Sequence, residues 1–298
     1  MHEDIRDKTY LTHKDIVGLN FIKDPGRYVF RRHFRDGLRS HIMEVLNPEE
    51  IQIESQGIVT EGTRRFPRAT PQRMLRIFKT RFRDLHDAGE EVRRVKIIGS
   101  YLAPRFIARS QEFLVHFIQQ GKTEILLCGL QEYVAGVVLD PWGVLDRRQV
   151  TSFLYELGYE KGEDAAAREE EWIGCVRKQA QDFLCSLRRM IMDAHYVPDL
   201  AGIGNLILTH SGAIKLVDIN NISPVYPDFI IRLDDRLYPV CDKSIEAMSR
   251  LEAGLLNEPL DENDPIYARF LDSGRMEEVR RWERRFHHAM EHDMNFPD

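Results

Sequence analysis

The sequence predicts an α+β fold, a small antiparallel sheet with one prominent helix followed by a mostly helical part. Three observations carry this reading. Short strand-like runs concentrate before residue 130, a helix pattern over about Asp87–Leu102 interrupts them, and the long amphipathic patterns come later. No internal repeat or low-complexity tract complicates it.

Residues 1–48 read as an extension. They hold an Arg-rich amphipathic stretch, Tyr28–Arg35, and a helix-like segment up to Leu46. From residue 49 the pattern turns strand-like. Ile51–Glu54 alternates with period two, Gly57–Gly62 and Thr63–Ala69 follow, and Arg73–Lys79 reads as a further strand. After the helix come Glu112–Ile118 and Glu124–Leu130, joined by a turn at Gln119–Lys122. Residues 131–136 mark the change of character. Beyond them, Glu169–Ala194 carries Phe183, Leu184, Leu187 and Ile191 on one face, and Asp242–Leu256 and Gly274–His292 read as helices.

Composition bounds the function classes. At 298 residues the chain can hold ample core, and its hydrophobic fraction of 43% is ordinary for a globular protein. No apolar run approaches the roughly 20 residues needed to span a bilayer, and the polar start Met1–Asp7 has no signal-peptide core. The expectation is a cytoplasmic protein without a membrane partner. The four cysteines, Cys128, Cys175, Cys185 and Cys241, show no zinc-ligand spacing and read as reduced, buried small hydrophobes. Residues 1–110 carry 22 Lys/Arg against 15 Asp/Glu, and the remainder 20 against 33. A basic first third could attract phosphates or nucleic acid. No zinc finger, RNP-type motif or basic tail supports a nucleic-acid partner, so solvated faces are the favoured reading.

The most informative feature is a hairpin inside the helical part. Leu206–Leu208 and Ile214–Val217 flank a polar turn ending in Gly212; Asn205 enters it and Asp218 leaves it. An amide and a carboxylate therefore sit side by side at its open end. Hard cations such as Mg²⁺ take oxygen ligands and usually keep phosphate oxygens and waters in the remaining positions. The pair suggests a nucleotide-phosphate site.

With this hairpin the chain resembles the protein-kinase-like superfamily, where an Asn opens such a hairpin and the Asp of a D-F-G triplet closes it. Here the triplet is Asp218-Ile219-Asn220. The short remainder after Asp218, with no A-P-E motif, tilts the resemblance toward aminoglycoside phosphotransferase-like and bacterial atypical kinase-like proteins, including the YrbL type. It implies a bilobal fold with an N-lobe over 49–130, a hinge at 131–136 and a helical C-lobe over 131–298. Three strands, a helix and two further strands are its expected N-lobe order.

The resemblance also assigns roles. Gly57 and Gly62 would bracket the phosphate-covering turn, where glycine lets backbone N–H groups approach phosphate oxygens. Lys79 would neutralise the α- and β-phosphates. Glu91, on one face with Val95, Ile98 and Leu102, would orient Lys79; Glu90 is the alternative. Glu132 and Val134 would hold an adenine edge through backbone groups. Asp199 would be the general base, although Val197-Pro198 stands where the family has His-Arg or His-Gly. The interval from Asp199 to Asn205 is one residue longer than the family's, and Gly202 and Gly204 could absorb it in a bulge. Asn205 and Asp218 would bind Mg²⁺. The implied function is an ATP- and Mg²⁺-dependent phosphotransferase with a small-molecule or protein hydroxyl acceptor. A pseudokinase serving as a nucleotide-binding regulator or scaffold is the alternative, and a nucleic-acid-associated protein a weaker third.

Overall fold

The computed structural model describes residues 4–34, 39–119, 122–160, 162, 164–261 and 263–294. The chain divides into two units, one of residues 1–93 and 108–133, the other of residues 94–107 and 134–298.

The first unit is built on a five-stranded antiparallel sheet. Its strands are β1 (Val29–Arg32), β2 (Ser40–Leu46), β5 (Arg73–Phe78), β6 (Ser110–Gln119) and β7 (Lys122–Glu132), in the order β1-β2-β5-β7-β6. In chain order this is three strands, the helix α3 (Leu85–Leu102), and two strands. The first two come from residues 29–46, so the segment read as an extension and a helix supplies two of the sheet's five strands. Alternation explains it: Phe30 points into the core, while Arg31 stands opposite Glu44 on the other face. The core face carries Met43, Val45, Leu75, Ile77, Val115 and Leu126. Ile5, Leu11, Ile16 and Leu19 cover it, the last two around the short helix α1 (His13–Val17), which Thr12 and Asp15 close with a capping box.

Ile51–Glu54 is helical, not a strand. It lies in α2 (Pro48–Gln56), where the Asn47 side chain accepts from the Glu49 N–H, Pro48 opens the helix, and Glu49 and Glu50 occupy the first turn. A capping amide, a proline at the start and two acids at the positive helix end outweigh four residues of alternation. Then β3 (Ile58–Thr60) and β4 (Thr63–Arg65) form their own two-stranded sheet, outside the main one, with all six residues exposed. Glu61 and Gly62 turn it with φ of 50° and 77°, as a two-residue hairpin loop requires. The turn expected at Gln119–Lys122 includes residues 120 and 121, which lie outside the described residues.

The second unit is mostly helical. Val95, Ile98 and Leu102 of α3 join its core, with Phe183, Leu184 and Leu187 of α5 (Ala165–Arg189). The remaining helices are α4 (Arg147–Glu156), α6 (Val240–Leu256), α7 (Pro265–Phe270) and α8 (Ser273–Met294). A π-turn at Met190–Ala194 ends α5, closed by His195 at a left-handed φ of 58°. Two short sheets hold the site: β8 (Val137–Val138) pairs β10 (Leu206–Leu208), which pairs β11 (Ile214–Leu216), and β9 (Tyr196–Pro198) pairs β12 (Ile222–Pro224). A Cβ on Gly136 would lie 2.4 Å from the Leu208 carbonyl oxygen, so only glycine lets the chain pass β10 this closely.

All four cysteines are free; Cys128 and Cys241 are buried, whereas Cys185 is exposed, contrary to expectation. Among the described residues no helix is long and apolar enough to cross a membrane.

Candidate functional site

The hairpin predicted from the sequence is β10–β11, with Leu206 opposite Leu216 and Gly212 in the turn at a φ of 75°. One further ladder bond, from the Val217 N–H to the Asn205 carbonyl at 2.8 Å, carries the pairing to the open end. Asn205 and Asp218 therefore leave the hairpin beside one another, as period-two pairing dictates.

The loop before the hairpin folds back on this end. Asp199 follows β9, and its N–H donates to the Asn221 carbonyl at 2.9 Å, one step beyond the β9–β12 pairing. Its carboxylate then becomes the centre of the loop. Oδ1 accepts from the N–H groups of Ala201 at 2.9 Å and Gly202 at 3.2 Å, and Oδ2 accepts from the Asn221 amide at 2.8 Å. The Asn205 amide donates to the Asp199 carbonyl at 3.0 Å. That bond fixes which end of the amide is which: Nδ2 is engaged, and Oδ1 is left to accept from elsewhere.

The two loop glycines are necessary. A Cβ on Gly202 would lie 2.5 Å from Asn205 Nδ2, so any larger residue would displace the amide. Gly204 takes a φ of 92°, a left-handed backbone that favours glycine. The loop is also gripped from behind. The buried Ser244 of α6 accepts from the Leu200 N–H at 3.2 Å, and the Trp142 indole N–H donates to the Ala201 carbonyl at 2.8 Å.

Electrostatics set this carboxylate apart. Burial, followed by the negative charge of Asp218, pushes Asp199 up to about 6, against the lowering effect of the Gly202, Ala201 and Asn221 donors. The donors are all neutral, so negative charge accumulates at the hairpin's open end. The oxygen donor set of Asn205 Oδ1 and the Asp218 carboxylate fits a hard cation such as Mg²⁺. Asn220 Oδ1, two residues on, is buried without a hydrogen-bond partner among the described residues. No group of three or more His, Cys, Asp or Glu that could hold a metal occurs among the described residues. A cation here would therefore draw on few protein ligands and need further oxygens from phosphate or water.

The first unit's predicted residues fare differently. Gly57 caps α2 at a φ of 75° instead of following a strand, and Gly62 turns the exposed β3–β4 hairpin. A phosphate-covering turn between two strands of the main sheet is therefore not what these glycines form. Lys79 follows β5, with its N–H on the Arg39 carbonyl at 3.0 Å. The expected Lys79–Glu91 ion pair is not formed among the described residues. Glu91 is half-buried on α3, and Glu90 pairs instead with Arg93 at 2.9 Å. Glu132 ends β7, where its carboxylate accepts from Arg109 Nε at 2.9 Å and its N–H donates to the Arg109 carbonyl at 2.8 Å. Val134 lies in the extended segment after it.

Sequence reasoning missed Arg76. It is 6% exposed in mid-strand on β5, its guanidinium 5.5 Å from the Phe78 ring. Leu75 and Ile77 face the apolar core, so Arg76 occupies the opposite face, and that parity was the available signal. Asn221, Ser244 and Trp142 were also missed, because nothing local in the sequence ties them to Asp199.

No family model matches the sequence, and no curated protein matches it. Solved structures do match. One is the ROP18 kinase domain in complex with AMP-PNP and sucrose, 11% identical with a TM-score of 0.35, covering 80% of this chain and 66% of that one. The chain thus spans just under two thirds of that structure's length. At this level of likeness the functional argument rests on the site itself.

Proposed function

We propose that the protein is kinase-like, binds ATP with Mg²⁺, and transfers phosphate to a hydroxyl acceptor. The observation that carries this is the Asn205 amide, anchored through Nδ2 to the Asp199 carbonyl with Oδ1 left to accept, at the end of the hairpin that Asp218 leaves. Asn205 and Asp218 would hold Mg²⁺, which when bound neutralises charge on phosphate oxygens. Asp199 would orient the acceptor hydroxyl and take its proton; a carboxylate raised toward neutrality by burial is suited to that task. Within the first unit taken by itself, this reading assigns phosphate to Lys79, with Glu91 as orienting carboxylate, and an adenine edge to the backbone of Glu132; Val134, given the same role, belongs to the second unit. The order of strands and helix in that unit supports the kinase-like reading independently of the site.

A second reading, a nucleotide-binding pseudokinase acting as regulator or scaffold, is favoured by two observations. Lys79 makes no ion pair among the described residues, and both Asp199 oxygens are already engaged by the loop.

Thermal unfolding with ATP and Mg²⁺ tests the shared part. The melting temperature should rise, and Asp218→Ala should remove the rise. No rise at millimolar ATP would overturn nucleotide binding. If the rise occurs, Asp199→Ala separates the two readings: it should abolish phosphate transfer while keeping binding, whereas turnover unchanged by the substitution excludes Asp199 as the catalytic residue.

A further inference from the structure

Trp142 lies in the loop between β8 and α4, far in sequence from Asp199, yet it is bound to the same peptide units. Its own N–H donates to Asp140 Oδ1 at 3.0 Å, which fixes its backbone. Its ring is flanked by two cations of α6, with Lys243 Nζ 4.1 Å and the Arg250 guanidinium 5.2 Å from the centroid. A cation over an indole face is attracted by the ring's quadrupole, most strongly where water is excluded. Lys243 is itself buried and held by Glu246 at 2.7 Å and Glu283 at 2.9 Å. The ring therefore has little freedom to rotate. Its one polar atom donates to the Ala201 carbonyl at 2.8 Å.

The Ala201 peptide matters because of what lies around it. The N–H of Ala201 and the N–H of Gly202, which belongs to the same peptide plane as the Ala201 carbonyl, both donate to Asp199 Oδ1. Fixing that carbonyl fixes the direction of the Gly202 N–H. Gly202 in turn is the residue against which the Asn205 amide rests.

We propose that Trp142 is a positioning residue for Asp199: its indole ring packs against Lys243 and Arg250, and its N–H holds the Ala201–Gly202 peptide and so aims both loop N–H groups at one carboxylate oxygen. The adjacent residue Ser244 acts in parallel on the Leu200 N–H. Two consecutive α6 residues, Lys243 and Ser244, thus hold the loop by separate routes. The inference takes its functional meaning from the role assigned to Asp199 above, but its test needs no nucleotide. Failure of one is therefore distinguishable from failure of the other.

The test is amide NMR on the full chain bearing Trp142→Phe, which keeps an aromatic ring between the two cations and removes only the donor. The Ala201 and Gly202 amide protons should move upfield and exchange about tenfold faster, as expected for loss of one supporting hydrogen bond. The Leu200 amide should stay where it is. Ser244→Ala should give the converse, moving Leu200 and sparing Ala201. Replacing Trp142 with 3-benzothienylalanine, which preserves the ring's shape without the N–H, serves if the Phe variant does not fold. Unchanged Ala201 and Gly202 amides would overturn the proposal. So would a uniform change along all of α6, which would mark Trp142 as a packing residue only.

Discussion

Glu44 and Asp199 are both carboxylates drawn into the protein, and the two regions treat the charge in opposite ways. Glu44, 2% exposed on β2, is met by two guanidinium groups, Arg31 Nε at 2.7 Å and Arg68 at 3.2 Å, and by the His33 ring at 3.0 Å. Arg31 continues to Glu54, whose other oxygen accepts from the Ala69 N–H at 2.7 Å. This is an internally compensated network that ties β1 and β2 to α2 and the segment after β4. Asp199 is held only by neutral donors, and the charged group that affects it most is a second carboxylate, Asp218. Interior charge without an opposite charge is costly. The first region is complete as it stands; on the function proposed above, a cation would complete the second.

Substitutions should separate the two. The largest effect is expected for Glu44→Ala, which removes the buried carboxylate at the centre of the cluster, leaves Arg31 only Glu54, and should destabilise by about 3 kcal/mol. Chemical denaturation at pH 7 would measure it; a loss below about 1 kcal/mol would mean the cluster is wetter than its geometry indicates.

Asp199→Asn should act in the opposite direction. Because the folded-state value is raised from 3.8 to about 6, the charged form is disfavoured in the folded protein, so stability falls as pH rises through that window. The metal-free variant should be more stable than the parent above pH 6, on the order of 1–3 kcal/mol, with the difference disappearing below pH 4. A difference independent of pH would exclude the electrostatic cause.

Gly202→Ala comes next. It should displace the Asn205 amide and weaken MgATP binding about tenfold or more, with a stability loss of roughly 1–2 kcal/mol. Isothermal calorimetry would read the first and denaturation the second. The smallest effect belongs to the exposed Glu90–Arg93 pair on α3, where Glu90→Gln should cost no more than about 0.5 kcal/mol.

Legibility in the sequence followed the range of the interactions. The Asn205–Asp218 hairpin could be read because strands, turn and end residues are contiguous, and Gly202 and Gly204 marked the loop's extra residue. The α5 face of Phe183, Leu184, Leu187 and Ile191 is buried for the same local reason. At Ile51–Glu54 the short alternation misled, because Asn47 and Pro48 decide that segment from outside it. Tyr28–Arg35 read as an Arg-rich amphipathic stretch and the segment up to Leu46 as helix-like; that Arg31 faces a buried glutamate on the neighbouring strand is a pairing fact, not a local one. That Arg76 is buried in mid-strand, on the face opposite Leu75 and Ile77, was available from strand parity. Trp142 and Ser244 reach Asp199 across 57 and 45 positions and leave no local trace.

The central claim is that the open end of the β10–β11 hairpin takes a divalent cation together with nucleotide. Paramagnetic Mn²⁺ substituted for Mg²⁺ in the presence of ATP, observed by amide NMR, tests it directly. The amides of residues 204–206 and 217–219 should broaden first, and Asp218→Ala should abolish the effect. Broadening that begins elsewhere, or none at these residues at saturating nucleotide, would contradict the account.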